Sequence, residues 1–98
     1  MVKMNSIQNI KRKSWMFSLE AAGAKEVFLM GDFNNWSPVK HPMKRDKNGI
    51  WNKRVMLSPG DHEYKFLVDG QWKEDPRNNR RCANRFGSYN SIVSLHGD

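Results

Sequence analysis

Apolar and polar residues alternate with a period of two in several short segments of this chain, most clearly at 14–19, 50–57 and 62–68. No segment carries a helical period over the 11 or so residues that a helix prediction needs. The predicted strands are 14–19, 26–30, 39–44, 50–57, 62–68, a short strand starting at Gln71, and 89–95. About seven short strands favour an all-β, immunoglobulin-like sandwich over a five-stranded oligonucleotide-binding barrel.

The chain length leaves room for one small domain. At 98 residues and 38% hydrophobic content, folding buries roughly 65% of the extended-chain surface, so a few large side chains must supply the core. A (β/α) barrel needs about 250 residues and is excluded. We expect residues 1–13 to form a flexible basic arm, 14–96 to form the sandwich, 31–38 to form a shaped loop, and 76–85 to form a polar loop rich in Arg and Asn.

The formal net charge is +7, and the basic residues concentrate in the arm and in 77–85. Such clusters are typical of solvated surface charge, and binding to nucleic acid is the alternative. No apolar run approaches the roughly 18 residues needed to span a bilayer, and the first 20 residues lack the apolar core of a secretory signal. With Cys82 as its single cysteine, the chain is expected to be cytoplasmic, without a membrane or nucleic-acid partner.

One hairpin can be predicted in register. Asp69-Gly70 is a two-residue turn signal, which pairs Leu67 with Trp72. Because alternate residues share a face, Lys65 lies diagonal to Trp72 on the outer face, about 7–8 Å away. The same register puts Lys73 opposite a core-facing residue, so the pairing is expected to end there.

The four tryptophans have two predicted roles. Trp15 and Trp51 are in phase with apolar neighbours, which predicts that both lie in the core. Trp36 ends an Asn-Asn loop, and Trp72 lies on the outer face. Beside an ammonium and an amide such as Asn90, exposed indoles suit a sugar, whose C–H face stacks on aromatic rings and whose hydroxyls form hydrogen bonds. The alternative for these two indoles is a small apolar cluster under the loop 76–85.

Several motifs occur in a characteristic order. They are Gly-Asp-Phe-Asn-Asn-Trp at 31–36, Leu-Ser-Pro-Gly at 57–60, Tyr-Lys-Phe-Leu-Val-Asp-Gly-Gln-Trp at 64–72, and Phe-Gly-Ser-Tyr-Asn at 86–90. Together they make residues 14–95 resemble the glycogen-binding domain of the AMP-activated protein kinase β subunit and the early-set domains of isoamylases and branching enzymes. Collectively these domains are known as carbohydrate-binding module family 48.

The resemblance implies an early-set sandwich that binds α-1,4-linked glucan: glycogen, starch or maltodextrin. The implied carbohydrate-binding residues are Trp36, Lys65, Trp72, Phe86, Ser88 and Asn90. Phe86 stands where the kinase domains have a leucine, which alters the loop contact. The implied partners are an α-glucan polysaccharide or oligosaccharide and a glycogen-metabolising enzyme or kinase.

We expect no catalysis, metal or cofactor. The acidic residues mostly sit at turns, where carboxylates accept from backbone N–H groups, and no pair stands out as the two carboxyls that glycoside hydrolysis uses. The histidines lack metal-like spacing, and Cys82 lacks a local base. The alternative function is a protein-interaction or regulatory domain, in which a partner subunit or a second copy of the chain covers Trp36 and Trp72.

Overall fold

The computed structural model describes residues 11–37 and 39–96, and the strands in these residues form two antiparallel sheets. The strands are β1 (Lys13–Glu20), β2 (Val27–Gly31), β3 (Lys44–Arg45), β4 (Ile50–Leu57), β5 (Gly60–Val68), β6 (Gln71–Lys73), β7 (Arg81–Ala83) and β8 (Tyr89–Leu95). One sheet has the order β1-β4-β3, and the other has the order β2-β5-β8-β7, with β6 also paired to β5. The predicted all-β sandwich is confirmed.

Most of the predicted arm, residues 1–10, lies outside the described residues, and β1 begins at Lys13. Within 31–38 the structure has one turn of 3-10 helix, Asp32–Asn34, where only a loop was expected. No helix among residues 11–37 and 39–96 is long and apolar enough to cross a bilayer.

The core lies between the two sheets. Its buried members are Phe17, Leu19, Ala24, Val27, Leu29, Met43, Trp51, Val55, Leu57, Tyr64, Phe66, Val93 and Leu95. Phe17 of the first sheet meets Tyr64 of the second edge to face, with ring centroids 4.8 Å apart. Trp51 is buried, as predicted, and its indole Nε1 donates a hydrogen bond to the Ala21 carbonyl at 2.8 Å.

Trp15 is not in the core, and this prediction was wrong. Its side chain is 41% exposed, although it shares the inward face of β1 with Phe17. Burial along β1 begins only at Phe17. An alternating pattern identifies which residues share a face, but it does not reveal how far the opposing sheet extends over that face.

The segment 39–44 crosses from one sheet to the other and does not form the predicted strand. Met43 donates its backbone N–H to Val27 of β2 at 2.8 Å, whereas Lys44 pairs with Asn52 of β4. Pro42 has no N–H and makes a single bridge, to Phe28. Regular pairing here is therefore limited to β3.

A strand that the sequence did not predict lies in the polar segment 76–85. Strand β7 pairs with β8 in the register Arg81–Ser91, Cys82–Asn90 and Ala83–Tyr89. It is an edge strand with little buried side-chain surface, so it carries no apolar alternation from which it could be recognised.

The predicted hairpin is confirmed. Asp69 and Gly70 both have positive φ, 49° and 83°, as a tight two-residue turn between β5 and β6 requires. Leu67 pairs with Trp72, and the pairing ends at Phe66–Lys73. Trp72 therefore lies on the outer face of the five-stranded sheet.

Gly31, at the end of β2, is expected to tolerate no side chain. A Cβ there would clash with the Phe33 ring and would lie 2.7 Å from the Glu63 carbonyl oxygen. We expect Gly31→Ala to lower the free energy of unfolding by about 1–3 kcal/mol. The matched control is Gly23→Ala, because beyond the adjacent residues no heavy atom lies within 4 Å of that Cβ. Urea unfolding of both variants checks this, and equal stability of the two would contradict the packing described at Gly31.

Candidate functional site

The outer face of the five-stranded sheet carries a set of polar side chains with Trp72 beside them. Glu63 and Lys65 are alternate residues of β5 and point to the same side. One edge of β5 pairs with β2, and its other edge pairs first with β8 and then with β6. This arrangement brings Asn90 of β8 and Trp72 of β6 to the same part of the sheet.

Lys65 is more enclosed than its predicted outer-face position suggests. Only 6% of its surface is exposed, and its Nζ donates a hydrogen bond to Ser88 Oγ at 2.9 Å. The ammonium lies 5.9 Å from the centroid of the Trp72 ring, so the predicted diagonal placement is confirmed. Trp72 itself is 53% exposed, and its ring is available to a ligand.

Trp36 reaches the same face from the turn after β2. Asn35 and Trp36 both have φ of 56°, and the Trp36 N–H donates to the Gly31 carbonyl at 2.9 Å. Buried Asn34 stabilises the turn: its Oδ1 accepts from the Gly31 N–H at 3.1 Å, and its Nδ2 donates to the Leu29 carbonyl at 3.0 Å. These two bonds hold the turn that follows Gly31, and Trp36 comes two residues after Asn34 in that turn.

The loop 84–88 forms the opposite rim. Asn84 closes it, since its Oδ1 accepts from the backbone N–H groups of Phe86 at 2.9 Å and Ser88 at 3.2 Å. Phe86 projects from the loop with 81% of its surface exposed. The Arg85 guanidinium lies 5.4 Å from the centroid of the Phe86 ring. The loop therefore presents an aromatic ring with a cation against it.

These elements surround a cleft of about 540 Å³. Its described lining residues are Met30, Trp36, Glu63, Lys65, Trp72, Asn84, Arg85, Phe86, Ser88 and Asn90. All six residues that the resemblance nominated are in this set. Another concavity, of about 430 Å³, is lined by Phe33, Asp61 and His62 among others and contains none of the six.

Four lining residues were not predicted from the sequence. Glu63 could have been found, because it shares a face with Lys65 in the alternating strand. Met30 reaches the cleft through its pairing with Lys65, and that register depends on contacts distant in sequence. Asn84 and Arg85 lie in a polar segment where no local pattern separates them from their neighbours.

The ionisable groups near the cleft do not form a metal site. Among the described residues, no group of three or more His, Cys, Asp or Glu side chains is arranged to hold a metal ion. Cys82 pairs with Asn90 in the sheet, and the pKa of its thiol is raised above the ordinary value, first by burial and then by the Glu63 carboxylate. A raised pKa favours the protonated thiol, which is the less nucleophilic form.

The chemistry of the cleft suits a ligand that has both an apolar face and a rim of hydroxyls. The indoles of Trp36 and Trp72 and the Phe86 ring offer stacking surfaces. Lys65 donates hydrogen bonds only, whereas the Asn90 amide both donates and accepts. Hydroxyl groups, which also donate and accept, match this combination.

The comparison with known proteins points to one family. Residues 14–98 match the family described as the glycogen recognition site of AMP-activated protein kinase. Over 73 residues the chain is 44% identical to 5'-AMP-activated protein kinase subunit beta-1 of Sus scrofa, an alignment that covers 74% of this chain and 57% of that protein.

Two further relatives share shorter parts of their length with the chain. The beta-1 subunit of Rattus norvegicus is 42% identical over 73 residues, which is 74% of this chain and 26% of that protein. Protein PTST homolog 2, chloroplastic, of Arabidopsis thaliana is 49% identical over 53 residues, which is 54% of this chain and 10% of that protein. Because the family match runs through the whole sandwich, the chain belongs to the glycogen-recognition family of carbohydrate-binding modules typified by AMP-activated protein kinase.

Proposed function

We propose that the cleft is a binding site for α-1,4-linked glucan, in the form of glycogen, starch or maltodextrin, and that the glucan is bound without being cleaved. The observation that carries this proposal is that Trp36, Trp72, Lys65 and Asn90 line one cleft. Family membership supports the ligand class, because the family is described by its recognition of glycogen.

Each site residue has a separate role in this proposal. Trp36 and Trp72 stack against the C–H faces of neighbouring glucose units. Lys65 and Asn90 form hydrogen bonds with glucose hydroxyls. Phe86 packs against the glucan from the loop, and Ser88 fixes the position of the Lys65 ammonium through the hydrogen bond of 2.9 Å.

The absence of catalysis is also part of the proposal. Glycoside hydrolysis uses two carboxyl groups that flank one bond. Of the described residues that line the cleft, Glu63 alone carries a carboxylate, and that carboxylate accepts a hydrogen bond from Asn90 at 3.0 Å. The raised pKa of Cys82 disfavours the thiolate, which is the nucleophilic form.

A titration with two oligosaccharides tests the glucan proposal. We expect maltoheptaose to quench or shift tryptophan fluorescence with a Kd in the micromolar to millimolar range, because a shallow cleft must immobilise a flexible ligand. A cellulose oligomer of similar length should bind much more weakly, because its flat ribbon does not follow the curve between Trp36 and Trp72. Equal binding of the two oligosaccharides would contradict the proposed site.

The protein partner and the location are proposals as well. A kinase or a glycogen-metabolising enzyme is the partner that the names of the kinase-subunit relatives support. A cytoplasmic setting agrees with the free Cys82.

An interaction domain whose partner covers Trp36 and Trp72 is the second candidate function, favoured by the 53% exposure of Trp72. That candidate predicts a folded protein without affinity for maltoheptaose.

A further inference from the structure

Five polar side chains under the cleft form one continuous series of hydrogen bonds. Lys65 Nζ donates to Ser88 Oγ at 2.9 Å, and Ser88 Oγ donates to Asn84 Oδ1 at 3.2 Å. Asn84 Nδ2 then donates to Asn90 Oδ1 at 3.0 Å, and Asn90 Nδ2 donates to Glu63 Oε1 at 3.0 Å. We call this series the Lys65–Glu63 chain. Asn84 Nδ2 also donates to Ser88 Oγ at 2.9 Å, and the four bonds of the series itself run toward Glu63.

The two ends of the Lys65–Glu63 chain determine the direction in which its hydrogen bonds are donated. An ammonium group has no acceptor, and an ionised carboxylate has no donor. The hydroxyl and the two amides between them both donate and accept, so their orientation depends on their partners. Asn84 is held further by the loop, since its Oδ1 also accepts from the Phe86 and Ser88 N–H groups. Its Nδ2 must therefore face Asn90.

This direction decides what Asn90 offers to a ligand. The Asn90 amide has two N–H donors and two carbonyl lone pairs, and the Lys65–Glu63 chain uses one donor and one lone pair. If the amide were reversed, its oxygen and nitrogen would exchange places. Glucan hydroxyls can rotate to suit either orientation, but the ring and bridging oxygens of a glucan only accept hydrogen bonds. A reversed Asn90 amide would present its carbonyl oxygen where the N–H donor had been, and it could not bind such an acceptor there.

We infer that Glu63 and Asn84 are positioning residues of the glucan site, which orient the Asn90 amide and seat Ser88 beneath Lys65. This inference rests on the proposed glucan function. Both residues line the cleft, but their role is to fix the hydrogen-bonding direction of the residues that meet the sugar.

The first test is Asn84→Asp, which keeps the side-chain shape and the acceptor for the loop but removes the N–H donors toward Asn90 and Ser88. The Asn90 amide then has a carboxylate on both sides. We expect the melting temperature to fall by about 4–8 °C or more, since one lost hydrogen bond already has that effect. Affinity for maltoheptaose should fall about fivefold or more. Asn79→Asp, an exposed change of equal charge in the neighbouring loop, is the matched control and should leave both values unchanged.

The second test adds Glu63→Gln to Asn84→Asp and reverses the chain. The glutamine amide at position 63 can now donate to the Asn90 oxygen, and Asn90 can donate to the carboxylate at position 84. We expect the melting temperature to return to within about 2 °C of the parent, since every polar group again has a partner. Affinity should stay reduced, and the side-chain amide NMR signals of Asn90 should report a changed environment.

Different results would overturn the positioning role of Glu63 and Asn84 and the glucan-binding function of the cleft. If the parent binds maltoheptaose and Asn84→Asp binds it equally well, the positioning role is wrong and the glucan function stands. If the double variant recovers affinity together with stability, the orientation of Asn90 is irrelevant to binding and the role is merely structural. A parent that does not bind maltoheptaose overturns both.

Discussion

Trp72→Ala is expected to weaken glucan binding strongly while the domain stays folded. The side chain is 53% exposed, so we expect its loss to change the free energy of unfolding by only about 0.5–1 kcal/mol. The same change removes a stacking face beside Lys65, and loss of such a central aromatic contact costs about 2 kcal/mol or more in binding, roughly thirtyfold in Kd. Isothermal titration with maltoheptaose, together with a thermal melt, measures both effects.

Trp15→Ala is the matched control for this experiment. Trp15 is exposed to a comparable degree, 41%, but it lies on β1 of the other sheet and is absent from the cleft lining. We expect this variant to bind maltoheptaose like the parent. If Trp72→Ala keeps full affinity, or if Trp15→Ala loses as much affinity, the glucan does not occupy the proposed cleft.

Trp51→Ala is expected to give the largest loss of stability. Trp51 is only 6% exposed, and the truncation opens a cavity in a small core and removes the hydrogen bond to the Ala21 carbonyl. Truncation of a buried Trp costs about 3–5 kcal/mol, which is a large part of the roughly 5–15 kcal/mol that stabilises a typical domain. Thermal and urea unfolding measure the loss, and Trp51→Phe should recover part of it.

The difference in stability between the Trp15 and Trp51 variants tests where the core ends along β1. The two residues are equally apolar, and both were in phase with neighbouring apolar residues in the sequence. Trp15→Ala should cost far less stability than Trp51→Ala, because it leaves no cavity between the sheets. Similar losses for the two variants would contradict the observed end of the core at Phe17.

Local chemistry accounts for the parts of the fold that were predicted correctly. Asp69-Gly70 tolerates the positive φ values of a tight turn, and a two-residue turn leaves one register for the strands it joins. The proximity of Lys65 and Trp72 follows from that register and from the alternation of side chains. The buried face of β5 was predictable for the same reason, since Tyr64 and Phe66 alternate with polar residues.

Predictions failed where the outcome depended on contacts distant in sequence. Trp15 follows the same alternation as Phe17, but the opposing sheet determines burial. Strand β7 exists because β8 lies beside it, and its own residues carry no strand pattern. The local sequence of segment 39–44 predicts a strand, but its backbone pairs partly with β2 and partly with β4.

The sequence by itself determined the all-β class, the β5–β6 hairpin and its register, and the outer-face placement of Lys65 and Trp72, because turn chemistry and side-chain alternation act over a few residues. The family motifs added the six candidate site residues. Only the tertiary structure decided that these residues share one cleft, that Lys65 is buried against Ser88, and that Asn84 and Glu63 join them in one chain of hydrogen bonds. Those features depend on the pairing of β5 with β8 and on the closure of the loop 84–88, and no short segment of sequence encodes contacts between strands that are more than twenty residues apart.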